Sequence, residues 1–348
     1  MKIESVKWKI FDYNLNTPLI NSKGIIKTRK GFLIQIKTDS RMVGYGEASP
    51  LPFFGKETFE ETERSILLLN SILPGTQLNN AKFPFHFLAG YNLTPSVRFA
   101  VEQCLTEIKI RSNDLNFSEK TVLVNGLIGS TTIEESLNKT KKFIEKGFKT
   151  IKIKVGQNCF NDELKLIDSV SCAANNGIKI KLDVNGAWPL NDAIMNIKKL
   201  AQYNIEYIEQ PCTSINDLIK LSQVSSIPIA ADESLADMND FNLLCEQSDI
   251  KHFIVKPTLF GGMANTLDII EQTESKGMTA VISSALENTV AASYLILLAS
   301  FLPNTVHGLG TIDLVTPVIS KNLFPIKNGQ INFRTGKLLN NPAHLIND

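Results

Sequence analysis

The sequence has no CxxC pair and no cluster of histidines. Its five cysteines (Cys104, Cys159, Cys172, Cys212, Cys245) are scattered and odd in number, which argues against a disulfide framework or a zinc knuckle and fits a reducing cytoplasm. The four histidines (His86, His252, His307, His344) are far apart in the chain and read as structural or incidental. An excess of charge is also missing. With 36 Lys+Arg against 35 Asp+Glu, a net of +1, there is no electrostatic footprint for nucleic acid or for an anionic membrane. The longest greasy stretch, AASYLILLASFL at 291–302, falls far short of the roughly 20 residues a membrane span needs. The N-terminal MKIESVKWKIFDY lacks the uninterrupted apolar core of a signal peptide. These absences lead us to expect a soluble, cytoplasmic protein with neither nucleic-acid nor membrane partners. What is present is ordinary: 348 residues, 43% hydrophobic, enough for a sizeable core. The length suggests two domains, or one large barrel with an appended piece.

Two rhythms run along the chain. Residues 1–49 hold strand-like runs (KIESVKWKIFDY, KGFLIQIKTD, RMVGYGEAS), the last two joined by a hairpin connection. A Pro/Gly-rich loop, SPLPFFGKET, leads into helical EETERSILLLNSIL, and SVRFAVEQCLTEIKI follows Pro95. Strands followed by helices suggest an α+β unit. From about residue 120, short β-branched runs alternate with amphipathic helices. The predicted strands are 121–128, 150–156, 178–185, 205–211, 227–234, 252–257, 279–285 and 305–310. Eight strands with seven intervening helices, about 25 residues apart, are the signature of a closed (β/α) barrel. An open doubly wound sheet is the alternative, but it calls for a Gly-rich turn that NGLIGSTT (125–132) matches poorly.

Barrel strands are covered on both faces and should be almost wholly apolar. These strands break that rule at one end only. Lys152 and Lys154 close the second, Asp183 and Asn185 the third, Glu209 the fourth, Asp232 and Glu233 the fifth, and Lys256 the sixth. The steps are 183−154 = 29, 209−183 = 26, 232−209 = 23 and 256−232 = 24, each one βα repeat. The C-terminal mouth is where barrel enzymes assemble their sites. Asp183, Glu209 and Asp232 are therefore expected to face a common space. Three adjacent carboxylates repel one another unless a cation joins them. Their oxygen-only donor set points to a hard divalent ion, Mg²⁺ foremost, with Mn²⁺ left open as a substitute. Lys154 and Lys256 flank the carboxylates from opposite sides, and a neighbouring dication would lower an ammonium's pKa into the range of a general base. Metal plus lysine base fits removal of a proton α to a carboxylate, and hence a small-molecule carboxylate substrate.

Each element has a plainer explanation. KIKIK can be the wet face of a strand, DES a helix N-cap, and EQP a turn. Lys179 and Lys181 are expected to be inner-layer ion-pair partners. The Gly261–Gly262 pair suits a tight turn, with Gly261 also a candidate substrate contact. Recurrence in register on consecutive strands favours the functional explanation.

The order KxK, DxN, EQP, DES, KPxxxGG resembles the enolase superfamily, in its muconate-lactonizing-enzyme-like branch. TRKGFLIQI (28–36), GYGEASPLPFFGKET (44–58), PSVRFAVE (95–102), VNGLIG (124–129), SSALENTVA (283–291) and HGLGT (307–311) are similar to the o-succinylbenzoate synthase family. Asn288 and FFGKET depart from its commoner forms. The resemblance implies an α/β fold: a (β/α)7β TIM-like barrel with an N-terminal α+β capping domain completed by the C-terminal tail. The expected boundaries are 1–112 for the capping domain, 113–312 for the barrel and 313–348 for the returning segment. It also implies Lys154 and Lys256 as catalytic groups assisted by Lys152, and Asp183, Glu209 and Asp232 as Mg²⁺ ligands. Substrate contacts are expected from Asn185, Ser283, Ser284 and Gly261, with a lid from the loop near 19–28 and the SPLPFF segment. The implied reaction is a dehydration yielding 2-succinylbenzoate in menaquinone biosynthesis. Rivals are an N-acylamino acid racemase or dipeptide epimerase and, from another class, a non-catalytic barrel scaffold. Oligomeric state is left open.

Overall fold

The computed structural model describes residues 1–21, 24–51, 55–79, 81–129, 131–175, 177–311 and 324–338. The chain opens with an antiparallel sheet of β1 (Ile3–Asn21), β2 (Gly24–Thr38) and β3 (Val43–Ala48) in that order. Helices α1 (Phe59–Ile72) and α2 (Pro95–Arg111) follow. A capping box starts α1: the Thr58 side chain accepts from the Glu61 amide while Glu61 accepts from the Thr58 amide. Pro95 opens α2, where its missing N–H costs nothing.

Helix α2 is buried along nearly its whole length, because β3 packs on one side of it and the barrel on the other. Two glycines allow the first contact. A Cβ at Gly44 would lie 2.0 Å from the Cys104 carbonyl oxygen, and one at Gly46 would lie 1.9 Å from that of Ala100. Strand and helix backbones thus touch where any side chain would hold them apart.

The second rhythm builds the barrel. Its strands are β4 (Lys120–Val124) continued by β5 (Gly126–Ile128), β6 (Thr150–Lys154), β7 (Lys179–Asp183), β8 (Ile205–Glu209), β9 (Ile229–Ala231), β10 (His252–Val255), β11 (Thr279–Ile282) and β12 (Val306–His307). Each lies inside its predicted span, except that β4 begins one residue early, at Lys120. From β5 to β11 the strands form one parallel sheet in sequence order. A bridge from Ser283 to Gly308 and the parallel pairing of β12 with β4 carry the sheet round to its first strand.

Among the described residues the intervening helices are α3 (Ile133–Glu145), α4 (Phe160–Ala174), α5 (Leu190–Leu200), α6 (Ile215–Val224), α7 (Met238–Gln247), then, after the short α8 (Pro257–Phe260), α9 (Met263–Ser275) and α10 (Thr289–Ala299). Helix α10 carries the greasiest stretch of the sequence and is buried on all sides, so it is a core helix. No described helix is long and apolar enough to cross a membrane.

Strand β13 (Gln330–Phe333) pairs antiparallel with β4. Thr335 and Phe117 exchange hydrogen bonds, and the Phe117 ring meets both Phe333 and Phe83. The described part of the tail is therefore anchored on the barrel's first strand and on the linker entering it. Residues 313–323 and 339–348 of the expected returning segment lie outside the described residues.

Candidate active site

Parallel register sets the heights of the charged strand ends. Lys154 stands opposite Asp183, and Asp183 opposite Glu209. All the strand-end charges meet at one mouth, as equivalent positions in a βα repeat must. Lys152 reaches two carboxylates at once, Asp183 Oδ2 at 2.9 Å and Glu209 Oε1 at 2.5 Å. Lys154 Nζ donates to Asn185 Oδ1 at 2.7 Å and lies 3.2 Å from Asp183 Oδ2. Lys256 forms a close ion pair with Asp232. The carboxylates thus do not stand alone around an open space, as the strand pattern alone suggests. Each is held by an ammonium group, the cheapest way to bury three like charges in a small volume.

Titration directions follow this wiring. Burial alone would raise Asp183, but Lys152 and Lys154 more than offset it and hold the carboxyl well below its usual range. Glu209 shares only Lys152, so burial, reinforced by Asp183 and Asp232, pushes it up to about 8. That Asp183 and Asp232 both bear on Glu209 means the three carboxylates feel one another's charge. Burial would lower Lys256, yet Asp232, Glu233 and Glu209 prevail and raise it to about 12. Lys152 is raised well above its ordinary value by Asp183, Glu209 and Asp232, against the effect of burial. For Lys152 and Lys256 the ion-paired arrangement therefore raises the pKa, the opposite of the lowering expected beside a dication.

The donor set fits a hard divalent ion. Asp183 Oδ1 is buried without a hydrogen-bond partner, an orphaned oxygen of the kind a cation satisfies. All three candidate ligands offer carboxylate oxygen. Among the described residues no three His, Cys, Asp or Glu side chains form a ready-made metal cage; the ammonium groups stand between the carboxylates instead.

Above the charges lies an open cleft of about 690 Å³. Lys152, Lys154, Asp183, Asn185, Asp232, Lys256, Ser283 and Ser284 all line it. Glu209 lies beneath, 1% exposed. Gly261 does not reach the cleft. Its φ of +99° ends α8 in the left-handed region, and Gly262 follows at +103°, so the pair makes the tight turn after Lys256. Lys179 is exposed at the start of β7, because the strand enters from solvent there. Lys181 is buried, but its Nζ donates chiefly to the Val306 carbonyl at 2.8 Å, with Glu206 at 3.9 Å. The segments expected to form a lid contribute Ile26 and Leu51 to the cleft, while 22–23 and 52–54 lie outside the described residues.

Several supporting contacts escaped the sequence reading. Gln210, left-handed at φ +40°, accepts from the Asp232 and Ser234 amides and so fixes the segment after β9. Glu233 accepts from Asn185 Nδ2 at 2.9 Å, completing a chain from Lys154 through Asn185. Glu287, 1% exposed, accepts from Thr258, Ser284 and the Ala285 amide, joining the Lys256 segment to the serine loop. The EQP and SSALE motifs contained Gln210 and Glu287, but nothing local indicated their partners.

Comparison with known proteins agrees with this architecture. The family description "Enolase C-terminal domain-like" matches residues 135–337, and "MenC, N-terminal domain" matches 5–108. An o-succinylbenzoate synthase of Pectobacterium atrosepticum is 31% identical over 302 residues, covering 85% of this chain and 87% of that protein. One from Pasteurella multocida is 29% identical over 319 residues, covering 89% and 90%. Among solved structures, the L-Ala-D/L-Glu epimerase of Bacillus subtilis superposes with a TM-score of 0.86 at 22% identity, covering 96% of both chains. The dipeptide epimerase of Enterococcus faecalis, complexed with Mg and a dipeptide, gives 0.86 at 24%, covering 96% of this chain and 97% of the other. The epimerase likenesses show the fold; the sequence matches over most of the length show that the chain belongs to the o-succinylbenzoate synthase family of the enolase superfamily.

Proposed function

We propose that the chain catalyses the Mg²⁺-dependent syn-dehydration of 2-succinyl-6-hydroxy-2,4-cyclohexadiene-1-carboxylate to 2-succinylbenzoate. The observation that carries this reading is the pair of cleft-lining ammonium groups, Lys154 and Lys256, on strands either side of the Asp183–Glu209–Asp232 carboxylates. Asp183, Glu209 and Asp232 would hold the Mg²⁺, whose charge stabilises the anion that forms when the carbon α to a carboxylate loses its proton. A dication held by these carboxylates would offset the field that raises Lys256 to about 12. Lys154 Nζ, oriented by Asn185, takes the α-proton and returns it to the departing hydroxyl on the same face, leaving as water. Lys256, on the far side of the carboxylates, remains an ammonium and stabilises the planar anion electrostatically. Lys152 stays charged between Asp183 and Glu209 and bears on the substrate carboxylate. Leu51, Ile26 and Leu286 give the cleft an apolar wall, which suits the carbon ring and excludes water.

The test is a spectrophotometric dehydration assay with the cyclohexadiene substrate, in Mg²⁺ and in EDTA, run beside N-succinyl amino acids in deuterated water. Metal-dependent formation of 2-succinylbenzoate is expected. Exchange of an amino acid's α-proton without any dehydration would assign the site to racemisation instead.

A further inference from the structure

The apolar wall of the cleft is a small core of its own. Tyr13, Leu15, Ile26 and Leu51 from the N-terminal unit pack with Ala285 and Leu286 from the loop after β11, apart from the main core. Of these, Ile26, Leu51, Ala285 and Leu286 face the cleft. The wall therefore has two halves belonging to different folding units, and something must set their spacing.

One side chain bonds to both halves. Arg29 on β2 is 1% exposed. Its Nη1 donates to the Pro50 carbonyl at 2.6 Å and its Nη2 to the Ser49 carbonyl at 2.8 Å, which fixes the backbone immediately before Leu51. Its Nε donates to the Leu286 carbonyl at 3.3 Å, and Tyr13 Oη donates to the same oxygen at 3.1 Å. Leu286 sits at φ +64°, a conformation an ordinary side chain holds only where its surroundings over-determine it. A planar guanidinium is suited to such a task, because its donors keep fixed mutual angles. A short distance along the loop, Glu47 accepts from the Asn288 and Ala291 amides and pins the start of α10.

We propose that Arg29 is a positioning residue for substrate selection, its guanidinium tying Leu51 on the capping side to Ala285–Leu286 on the barrel side and so setting the width of the apolar slot that receives the substrate's organic group. This rests on the dehydratase reading above and adds to it the residue through which the N-terminal unit acts. Arg29 bonds to the backbone carbonyls of Leu286, Pro50 and Ser49 and stands on β2, whereas the lysines and carboxylates of the site stand on barrel strands. Loosening it should weaken binding in ground state and transition state alike, raising KM and leaving kcat in place.

The experiment measures kcat, KM for the cyclohexadiene substrate, the Kd of 2-succinylbenzoate by calorimetry, and Tm, for the full chain and for Arg29→Lys, Arg29→Ala and Tyr13→Phe. Arg29→Lys keeps the charge and loses the fork, so KM and Kd should rise about ten-fold, the equivalent of one net hydrogen bond, with kcat within about three-fold. Guanidinium ion at millimolar concentration should restore part of the affinity of Arg29→Ala, as a purely structural loss would not allow. Tyr13→Phe, which removes the donor to Leu286 and the phenol's bond with the Asn288 side chain but leaves the guanidinium in place, should move KM the same way by less; it decides the matter if the arginine variants fail to fold. A lowered Tm with KM and Kd unchanged would overturn the proposal, as would an unaltered KM with a fallen kcat. An unmutated chain that is inactive on this substrate would refute the dehydratase reading instead.

Discussion

Replacing Lys152 with methionine tests the electrostatic wiring of the site most sharply. That ammonium lies 2.9 Å from Asp183 and 2.5 Å from Glu209, with side-chain exposures of 11%, 3% and 1% respectively. Methionine fills the volume and removes the charge, leaving two buried carboxylates to share what Lys154 supplies. Breaking a buried pair in this way costs about 3–5 kcal/mol. Glu209, already pushed up to about 8, limits the damage by holding its proton at neutral pH, so the lower end, about 3 kcal/mol, is expected. A dication competes with Lys152 for the same oxygens, so the variant should gain more stability from Mg²⁺ than the parent does. At free metal about 100-fold above Kd the parent gains roughly 2.7 kcal/mol, and the variant should exceed its parent's gain by at least about 1 kcal/mol. Urea unfolding followed by fluorescence at pH 7.5, in EDTA and in Mg²⁺, gives both numbers. A variant as stable as the parent in EDTA, or one with no extra response to Mg²⁺, would refute the reasoning.

Three further outcomes follow from particular contacts. His307 Nδ1 accepts from the Ile282 amide while Nε2 faces the Leu302 carbonyl, and burial holds it neutral down to about 3. The unfolded chain binds this proton below about 6.5 and the native one does not, so stability must fall as pH falls through that window; a His307→Asn variant, compared by urea unfolding, should close its gap to the parent by about 2.7 kcal/mol between pH 7.5 and 4.5, whereas parallel profiles would contradict the assignment. Gly46→Ala places a methyl against the Ala100 carbonyl at 1.9 Å, backbone against backbone with nothing able to rotate away, so a loss of about 3 kcal/mol or more should appear in the unfolding midpoint. Asn185→Ala should cost Lys154 its 2.7 Å acceptor and lower kcat by about ten-fold, with some loss of Tm from the Glu233 bond and the φ of +48° that suits Asn better than Ala; an unaltered kcat would remove Asn185 from the proton-transfer step.

What could be read from the sequence and what could not divide along a physical line. The alternation of short strands and helices, about every 25 residues, gave away the barrel. A charged residue ending an apolar strand contradicts its neighbours and is visible locally, and five such contradictions spaced by one βα repeat gave away the mouth where Lys154, Asp183, Glu209, Asp232 and Lys256 gather. The direction of strand β7 was harder, since Lys179 and Lys181 alternate alike, yet one emerges in solvent and the other is buried against Val306. Residues that act through distant partners left no such mark. Arg29 looks like any charged residue of a strand until Leu286, 257 positions later, is seen against it. Glu47 meets the Asn288 amide across 241 positions, and Glu287 meets Thr258 across 29. In the sequence Gly261 suits both a tight turn and a substrate contact; it makes the left-handed turn after Lys256 and is not among the residues lining the cleft.

The division of labour between the two flanking lysines is the centre of the account, and single-turnover rates of 2-succinylbenzoate formation by Lys154→Ala and Lys256→Ala, each in saturating Mg²⁺, test it most directly. Loss of the base should slow Lys154→Ala by about 10²–10⁴-fold or more, with Lys256→Ala impaired less and both proteins still gaining stability from Mg²⁺. A Lys154→Ala enzyme that keeps near-parental rates would contradict it.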